Sequence, residues 1–268
     1  MISQRIAIIG AGRMGETLTA GLLSAGIVAP SQITVTGRSN LKLTRFAAVY
    51  SVAATTDNAE AVAQADIVLL CVKPQLADDV LDSIAAAMTP GKLLISIMAG
   101  KRIPSIESRL PAGSAVVRAM PNTPSQVMEG MTAVAAGTHA TDAHLELAHT
   151  IFGSVGRCIT LAERHFDAVT ALSASGPAFI YIVIEALAEG GVKSGLPRDV
   201  STELAAQMTL GAAKMVIQTG QHPAILKDHV TTPGGCTIDG ILKLEEGGLR
   251  VTLIKAVTEA TKRASELG

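Results

Sequence analysis

The rhythm of apolar and polar positions along the chain changes once. In the first part, short runs that are apolar throughout alternate with amphipathic stretches of about ten residues. Residues 5–9, 33–36, 51–53, 67–72, 93–97, 115–118, 132–136 and 158–160 read as strands; residues 13–25, 41–49, 76–88 and 142–152 read as helices. Strands apolar on both faces and separated by helices indicate a mostly parallel sheet covered on both sides, a doubly wound α/β architecture. After residue 162 the strand patterns stop. Helical periodicity then runs through 163–172, 177–189, 197–218, 223–227, 238–246 and 251–267. Pro177 and Pro197 stand where a helix starts, and Gly190, Gly191 and Gly220 where one stops. The expected organisation is an α/β domain over 1–162 and an all-helical domain over 163–268.

Composition narrows the function classes. The formal net charge of −1 favours neither nucleic acid nor an anionic membrane as partner. With no Trp, two Tyr and four Phe, the stacking surfaces that single-stranded nucleic acid needs are also missing. Cys71, Cys158 and Cys236 are odd in number and widely spaced, which suits a reducing cytosol and neither a disulfide framework nor a metal cluster. His139, His144, His149 and His165 lack companions at metal-ligand spacing, so no metal is expected. The first residues enter a strand pattern without a basic region and hydrophobic segment, and the most apolar run, 178–188, is shorter than a membrane span and holds Glu185. A cytoplasmic location is expected.

Gly10-Ala11-Gly12-Arg13-Met14-Gly15 follows the first strand and opens the first helix. That context turns a weak motif into a dinucleotide-binding signature, because the glycines permit a tight turn, close approach of a pyrophosphate and tight helix–strand packing. The sheet is thus of Rossmann type. The second strand ends in Gly37-Arg38-Ser39-Asn40, without the acid that would hold an unsubstituted ribose. Arg38 and Ser39 suit a 2′-phosphate, which points to NADP. Ligands in such sheets lie over the carboxyl edge of the strands, which places Val72 and Lys73, then Ala99 and Gly100, beside the cofactor. The turn-rich Met120-Pro121-Asn122-Thr123-Pro124 is a candidate wall of the nicotinamide site.

In the helical half, Val230-Thr-Thr-Pro-Gly-Gly-Cys-Thr237 interrupts the helices and opens another. Its glycines allow backbone N–H groups to approach an anion at a helix start. The plainer reading is a helix–helix turn with Thr237 as N-cap.

Taken together, the glycine loop, Val72-Lys73-Pro74, Met120 to Pro124, Ser175-Gly176-Pro177-Ala178 and the block from His222 to Thr237 resemble the pyrroline-5-carboxylate reductase family. The likeness covers essentially the whole chain in order, and its last block is the most specific. It implies reduction of 1-pyrroline-5-carboxylate to proline with NADPH, NADH being accepted too, the final step of proline synthesis. It also implies a homodimer interlocked through the helical domain, with larger rings, a decamer of dimers among them. The apolar face at 179–184 suits such an interface.

Carried over by position, the resemblance makes Gly10, Gly12, Arg13, Met14 and Gly15 the phosphate loop. Asn58 falls on the adenosine side and Lys73 on the matching cofactor position. Val230, Thr232, Gly234, Gly235, Cys236 and Thr237 form the substrate loop, with Met120 and Asn122 as further substrate contacts. His229, Thr231-Thr232 and Cys236 depart from the more frequent asparagine, serine pair and alanine. The substrate, a cyclic imine bearing a carboxylate, needs an anion site and a polar group near its nitrogen. The N–H groups of Gly234, Gly235 and Cys236 are expected to hold the carboxylate, and the Thr237 hydroxyl to donate to or orient the ring nitrogen. Hydride transfer needs no covalent intermediate, so Cys236 reads as a small filler and not as a nucleophile. Two alternatives remain: another NADP-dependent imine reductase or β-hydroxyacid-dehydrogenase-like enzyme, and a non-catalytic NADP-sensing protein on the same fold.

Overall fold

The computed structural model describes residues 2–267. Eight strands form one sheet: β1 (Ile6–Ile9), β2 (Ile33–Thr36), β3 (Ala53–Thr55), β4 (Ile67–Leu70), β5 (Leu93–Ser96), β6 (Ala115–Met120), β7 (Gly130–Ala136) and β8 (Gly156–Thr160). Their order is β3-β2-β1-β4-β5-β6-β7-β8, and every neighbouring pair is parallel except β6 with β7. Helices α1 (Arg13–Ser24), α2 (Asn40–Tyr50), α3 (Asn58–Ala63), α4 (Ala77–Ile84), α5 (Ile103–Glu107), α6 (Asp142–Gly153) and the single turn α7 (Phe166–Val169) connect and follow the strands.

Side chains alternate across a strand, so each strand feeds two cores. Ile6 and Ile8 join Leu18 and Leu22 of α1, Phe46 of α2 and Phe152 of α6 on one face. Ala7 and Ile9 join Val62 of α3 and Leu81 and Ile84 of α4 on the other. This is the doubly wound sheet that the apolar runs imply. Full burial of a side chain such as Ile8 or Leu81 contributes about 1.5–3 kcal/mol, which explains why β1 and β4 hold no polar position on either face. A third, smaller core gathers Ile103, Met120, Ala133, Ala135 and Phe166.

Three details differ from the sequence reading. The third strand lies at Ala53–Thr55, not at 51–53, because Ser51 ends α2 in the left-handed region at φ +57. Helix α3 begins at Asn58, where the Asp57 carboxylate accepts from Glu60 N–H at 3.0 Å. Helix α5 carries proline at its second position, which a first turn tolerates. Both helices are too short to show a periodicity.

Packing divides the chain after Ala174. Residues up to Ala174, with those from Ala260 onward, form one compact unit; Ser175–Glu259 forms the other. Strands end at Thr160, but residues 163–174 still pack with the sheet, since Phe166 and Ala171 are fully buried there. The second unit holds α8 (Gly176–Lys193), α9 (Arg198–Thr219), α10 (Pro223–Val230), α11 (Cys236–Glu246) and most of α12 (Leu249–Glu266). Helices α8 and α9 cross closely. The Ser201 hydroxyl donates to Ala188 C=O at 2.6 Å, and a Cβ on Gly191 would collide with that hydroxyl. Few other side chains of this unit are buried. Ile182, Leu204, Met208, Leu242 and Ile254 are each more than half exposed.

The apolar helical stretch extends on both sides of 178–188. The segment Glu163–Lys193 is long and apolar enough to cross a membrane by length and composition, an 18-residue stretch of it having a mean hydropathy of 1.6. A π turn at Thr170–Ala174 is followed by a bend at Ser175, after which α8 begins at Gly176.

Candidate active site

Because β2, β1, β4, β5 and β6 are parallel and in register, their carboxyl ends emerge level at one sheet edge. Ile9 lies beside Thr36 and Leu70, Leu70 beside Ser96, and Ser96 beside Arg118. The strand order reverses between β1 and β4, which opens a crevice there.

Three glycines line the mouth of that crevice for different reasons. Gly10 has φ +115, and a Cβ there would stand 2.7 Å from the Cys71 carbonyl oxygen. A Cβ on Gly15 would strike the Gly10 carbonyl oxygen, so these two glycines are required by the protein's own packing. Gly12 is not. It has extended backbone, and a Cβ on it would meet no protein atom within 4 Å. Gly12 is the N-cap of α1, yet no side chain caps that helix, so its first N–H groups lack a side-chain acceptor. Free space and uncapped donors at a helix start fit a phosphate group. Arg13 is exposed and, with Glu16, Thr17 and Tyr50, borders a concavity of about 300 Å3. Met14 packs against the core.

At the end of β2, Arg38 and Ser39 are exposed, and the Ser39 oxygen accepts from Lys42 N–H at 3.4 Å as the cap of α2. Its proton stays available to a ligand oxygen. Asn58 is half-buried and its Oδ1 accepts from the Thr36 hydroxyl at 2.6 Å, which orients Nδ2 as the remaining donor. Beyond β4, Val72 touches the Gly10 turn and Lys73 is exposed at the start of a 3-10 turn. Burial pushes the Cys71 thiol up to about 12, so it is a neutral packing group. Beyond β5, Ala99 is exposed and Gly100 has φ +75.

Two residues of the turn after β6 are more internal than expected. Met120 is 3% exposed and lies in the third core, so only its backbone can face a ligand. The Asn122 amide is engaged at both ends: Nδ2 donates to Ser173 C=O at 3.2 Å, and Oδ1 accepts from Met131 N–H at 2.9 Å. Asn122 thus braces the turn. Sequence reading also passed over Arg118, a lone arginine in an apolar strand. It is 2% exposed and pairs with Glu163 at 2.9 Å. The only signal was its charge among Val117, Ala119 and Met120.

In the helical unit, α10 runs on to Val230, which is exposed, and His229 stands exposed in its last turn. The turn to α11 spans residues 231–235. Gly234 has φ +69, and a Cβ on Gly235 would sit 2.5 Å from the Thr232 hydroxyl oxygen. The cap of α11 is Gly235, not Thr237, because the first helical residue is Cys236. Thr237 is therefore the second residue of the helix, half-buried, and its hydroxyl makes no hydrogen bond among the described residues. The anion donors shift in the same way. Gly235 N–H is bound to Thr232 C=O at 3.1 Å, which leaves the amides of Gly234 and of the first turn of α11. That helix has no side-chain cap; Cys236 is exposed, and Asp239 stands exposed in the same turn. Among the described residues no three His, Cys, Asp or Glu side chains gather as a metal site.

Comparison with known proteins adds the family. Residues 163–267 match the model described as pyrroline-5-carboxylate reductase dimerisation, which supports oligomer formation. Residues 5–100 match the model described as NADP oxidoreductase coenzyme F420-dependent. A pyrroline-5-carboxylate reductase of Methanosarcina acetivorans is 45% identical over 268 residues, 100% of this chain and 99% of the relative. The structure of a pyrroline-5-carboxylate reductase from Coxiella burnetii superposes with a TM-score of 0.95 at 38% identity, over 100% of this chain and 99% of that one. A Plasmodium falciparum pyrroline carboxylate reductase with NADP bound gives 0.88 at 31% identity, over 100% and 99%. On full-length identity of this order, the chain belongs to the pyrroline-5-carboxylate reductase family.

Proposed function

We propose that this protein reduces 1-pyrroline-5-carboxylate to L-proline with NADPH, as the last step of proline synthesis, and that it works as a homodimer joined through its helical unit. The observation that carries the cofactor reading is Gly12, whose missing side chain leaves space that no protein atom uses, at an uncapped helix start. NADPH, when bound, supplies a hydride to the C=N carbon of the imine. The chain's own residues do the rest. The first-turn amides of α1 hold the pyrophosphate, Arg38 and Ser39 take the 2′-phosphate, and Asn58 Nδ2 faces the adenosine side. Lys73 and the small pair Ala99-Gly100 form the remaining wall of the cofactor cleft.

In the helical unit, the Gly234 amide and the first-turn amides of α11 suit the substrate carboxylate without a cationic side chain. The Thr237 hydroxyl, at the second residue of that helix and without a hydrogen bond among the described residues, donates to the ring nitrogen or orients the proton it carries. Binding supplies alignment, the larger part of what such a reaction needs.

The test is NADPH oxidation by the purified protein with pyrroline-5-carboxylate, set beside other cyclic imines and 3-hydroxy acids. Turnover that is strongest with pyrroline-5-carboxylate is expected. NADPH binding without turnover of any of these would overturn the proposal.

A further inference from the structure

The loop after β5 carries Ala99 and Gly100, and carboxylates tie it down on its far side. At its start, Ile97 N–H donates to Leu70 C=O at 3.2 Å, and Met98 is buried at 1% exposure. Past Gly100, Lys101 Nζ donates to Asp78 Oδ1 at 2.7 Å. Two residues on, Ile103 N–H donates to Glu163 Oε1, also at 2.7 Å. The same oxygen accepts from Arg118 Nη1 at 2.9 Å. Arg118 rises from β6 with its guanidinium carbon 4.9 Å from the centre of the Phe166 ring, and its Nε has no partner among the described residues.

This is a poor way to gain stability. Arg118 keeps 3% of its side-chain exposure and Glu163 24%, so the arginine gives up nearly all its hydration and the carboxylate part of it, and an apolar side chain at 118 would pack at least as well. Strand β6 is otherwise Ala115, Val116, Val117, Ala119 and Met120, so an aliphatic residue at 118 would continue the pattern. What the pair does that an aliphatic residue could not is hold one carboxylate oxygen at a fixed point between β6 and the loop after β5. Through Ile103 that point sets where the backbone of Ala99 and Gly100 runs.

We infer that Glu163 is a positioning residue for the reduction, with Arg118 as its support and Lys101–Asp78 as the second tie. It fixes the loop that carries the nicotinamide wall. The inference rests on the reading of Ala99-Gly100 as that wall. The alignment of hydride donor and acceptor is steep in distance, and a misplacement of about 1 Å costs on the order of a hundredfold in rate.

The experiment compares wild type with Glu163→Gln, Glu163→Ala and Lys101→Met. It records kcat per folded enzyme, KM for NADPH, the NADPH dissociation constant by fluorescence, and the isotope effect on kcat with NADPH deuterated at the transferred position. Glu163→Gln keeps an acceptor for the Ile103 amide and should lose about tenfold in kcat, whereas Glu163→Ala should lose about a hundredfold. In both, NADPH affinity stays within about threefold and the isotope effect rises, because hydride transfer becomes limiting. Lys101→Met, at a partly exposed site that folding tolerates, should shift kcat and isotope effect the same way by a smaller factor. A role confined to stability would lower the melting temperature and leave both readouts unmoved. Values of kcat within about twofold of wild type in Glu163→Gln and Lys101→Met, with unchanged isotope effects, overturn the inference even if Glu163→Ala fails to fold. An active wild type with unaffected variants sinks only the positioning role. A wild type that binds NADPH but does not reduce the imine sinks the proposed function and this inference with it.

Discussion

Replacing Gly12 by alanine should separate cofactor binding from folding. The backbone there has φ −90 and ψ −177, a conformation open to alanine, and the new methyl meets no protein atom within 4 Å. The unfolded chain loses freedom, which stabilises by about 0.4–1 kcal/mol, while alanine caps a helix less well than glycine, which costs a similar amount. Stability should therefore move by no more than about 0.5 kcal/mol. Binding is a different matter, because the methyl occupies the approach to the first amides of α1. Loss of one charge-assisted hydrogen bond, worth about 1.5–3 kcal/mol, weakens NADPH by about 10- to 100-fold. Gly15→Ala is the converse. Its methyl would run into the Gly10 carbonyl and come within 3.2 Å of Ile8 Cγ2, so overpacking should cost about 1–3 kcal/mol of stability. Fluorescence titration with NADPH and thermal unfolding of both variants read the two effects. If Gly12→Ala binds NADPH within about threefold of wild type while folding normally, the free space at Gly12 is not where the phosphates lie.

Three other outcomes are expected. Thr237→Ala should lose about 10²–10⁴-fold in kcat with NADPH affinity unchanged, and Thr237→Ser should keep most activity; an undiminished kcat in the alanine variant would reduce Thr237 to a packing residue. Arg38→Ala should raise KM for NADPH by about 10- to 100-fold and leave that for NADH alone, and an unchanged ratio of the two cofactors would place the 2′-phosphate elsewhere. Burial holds the Cys71 thiol protonated up to about 12 from its ordinary 9.0, whereas in the unfolded chain it ionises first. That raised value means the stability it supports is complete below pH 9 and is lost as pH rises toward 12, so urea midpoints should fall across that window and fall less steeply in Cys71→Ala.

Much of the sheet was readable because its strands are buried on both faces and declare themselves as unbroken apolar runs. Ile33–Thr36 was placed to the residue, and Ile6–Ile9 and Ile67–Leu70 to within two positions. Boundaries failed where a local backbone feature decided them. The left-handed Ser51 moved β3, and Gly235 took the cap from Thr237 because the turn closes on Thr232 C=O. Tertiary partners were out of reach. Nothing near Asn122 in sequence announces Ser173, and nothing near Arg118 announces Glu163. The glycine loop was legible as a motif, but only the geometry shows that Gly10 and Gly15 answer to the protein's packing while Gly12 answers to none of it.

The uneven burial of the two units has a consequence for how the chain is made. All eight strands lie within the first 160 residues and enclose their cores largely among themselves, so that part can close while the remainder is still being synthesised. The helices that follow bring Ile182, Leu204, Met208 and Leu242 into water with little of their own chain to cover them. Oligomer formation, which the dimerisation-domain match supports, offers them shelter and makes local protein concentration an ingredient of maturation. Newly made chains are thus at their most aggregation-prone after synthesis ends, in the interval before they meet.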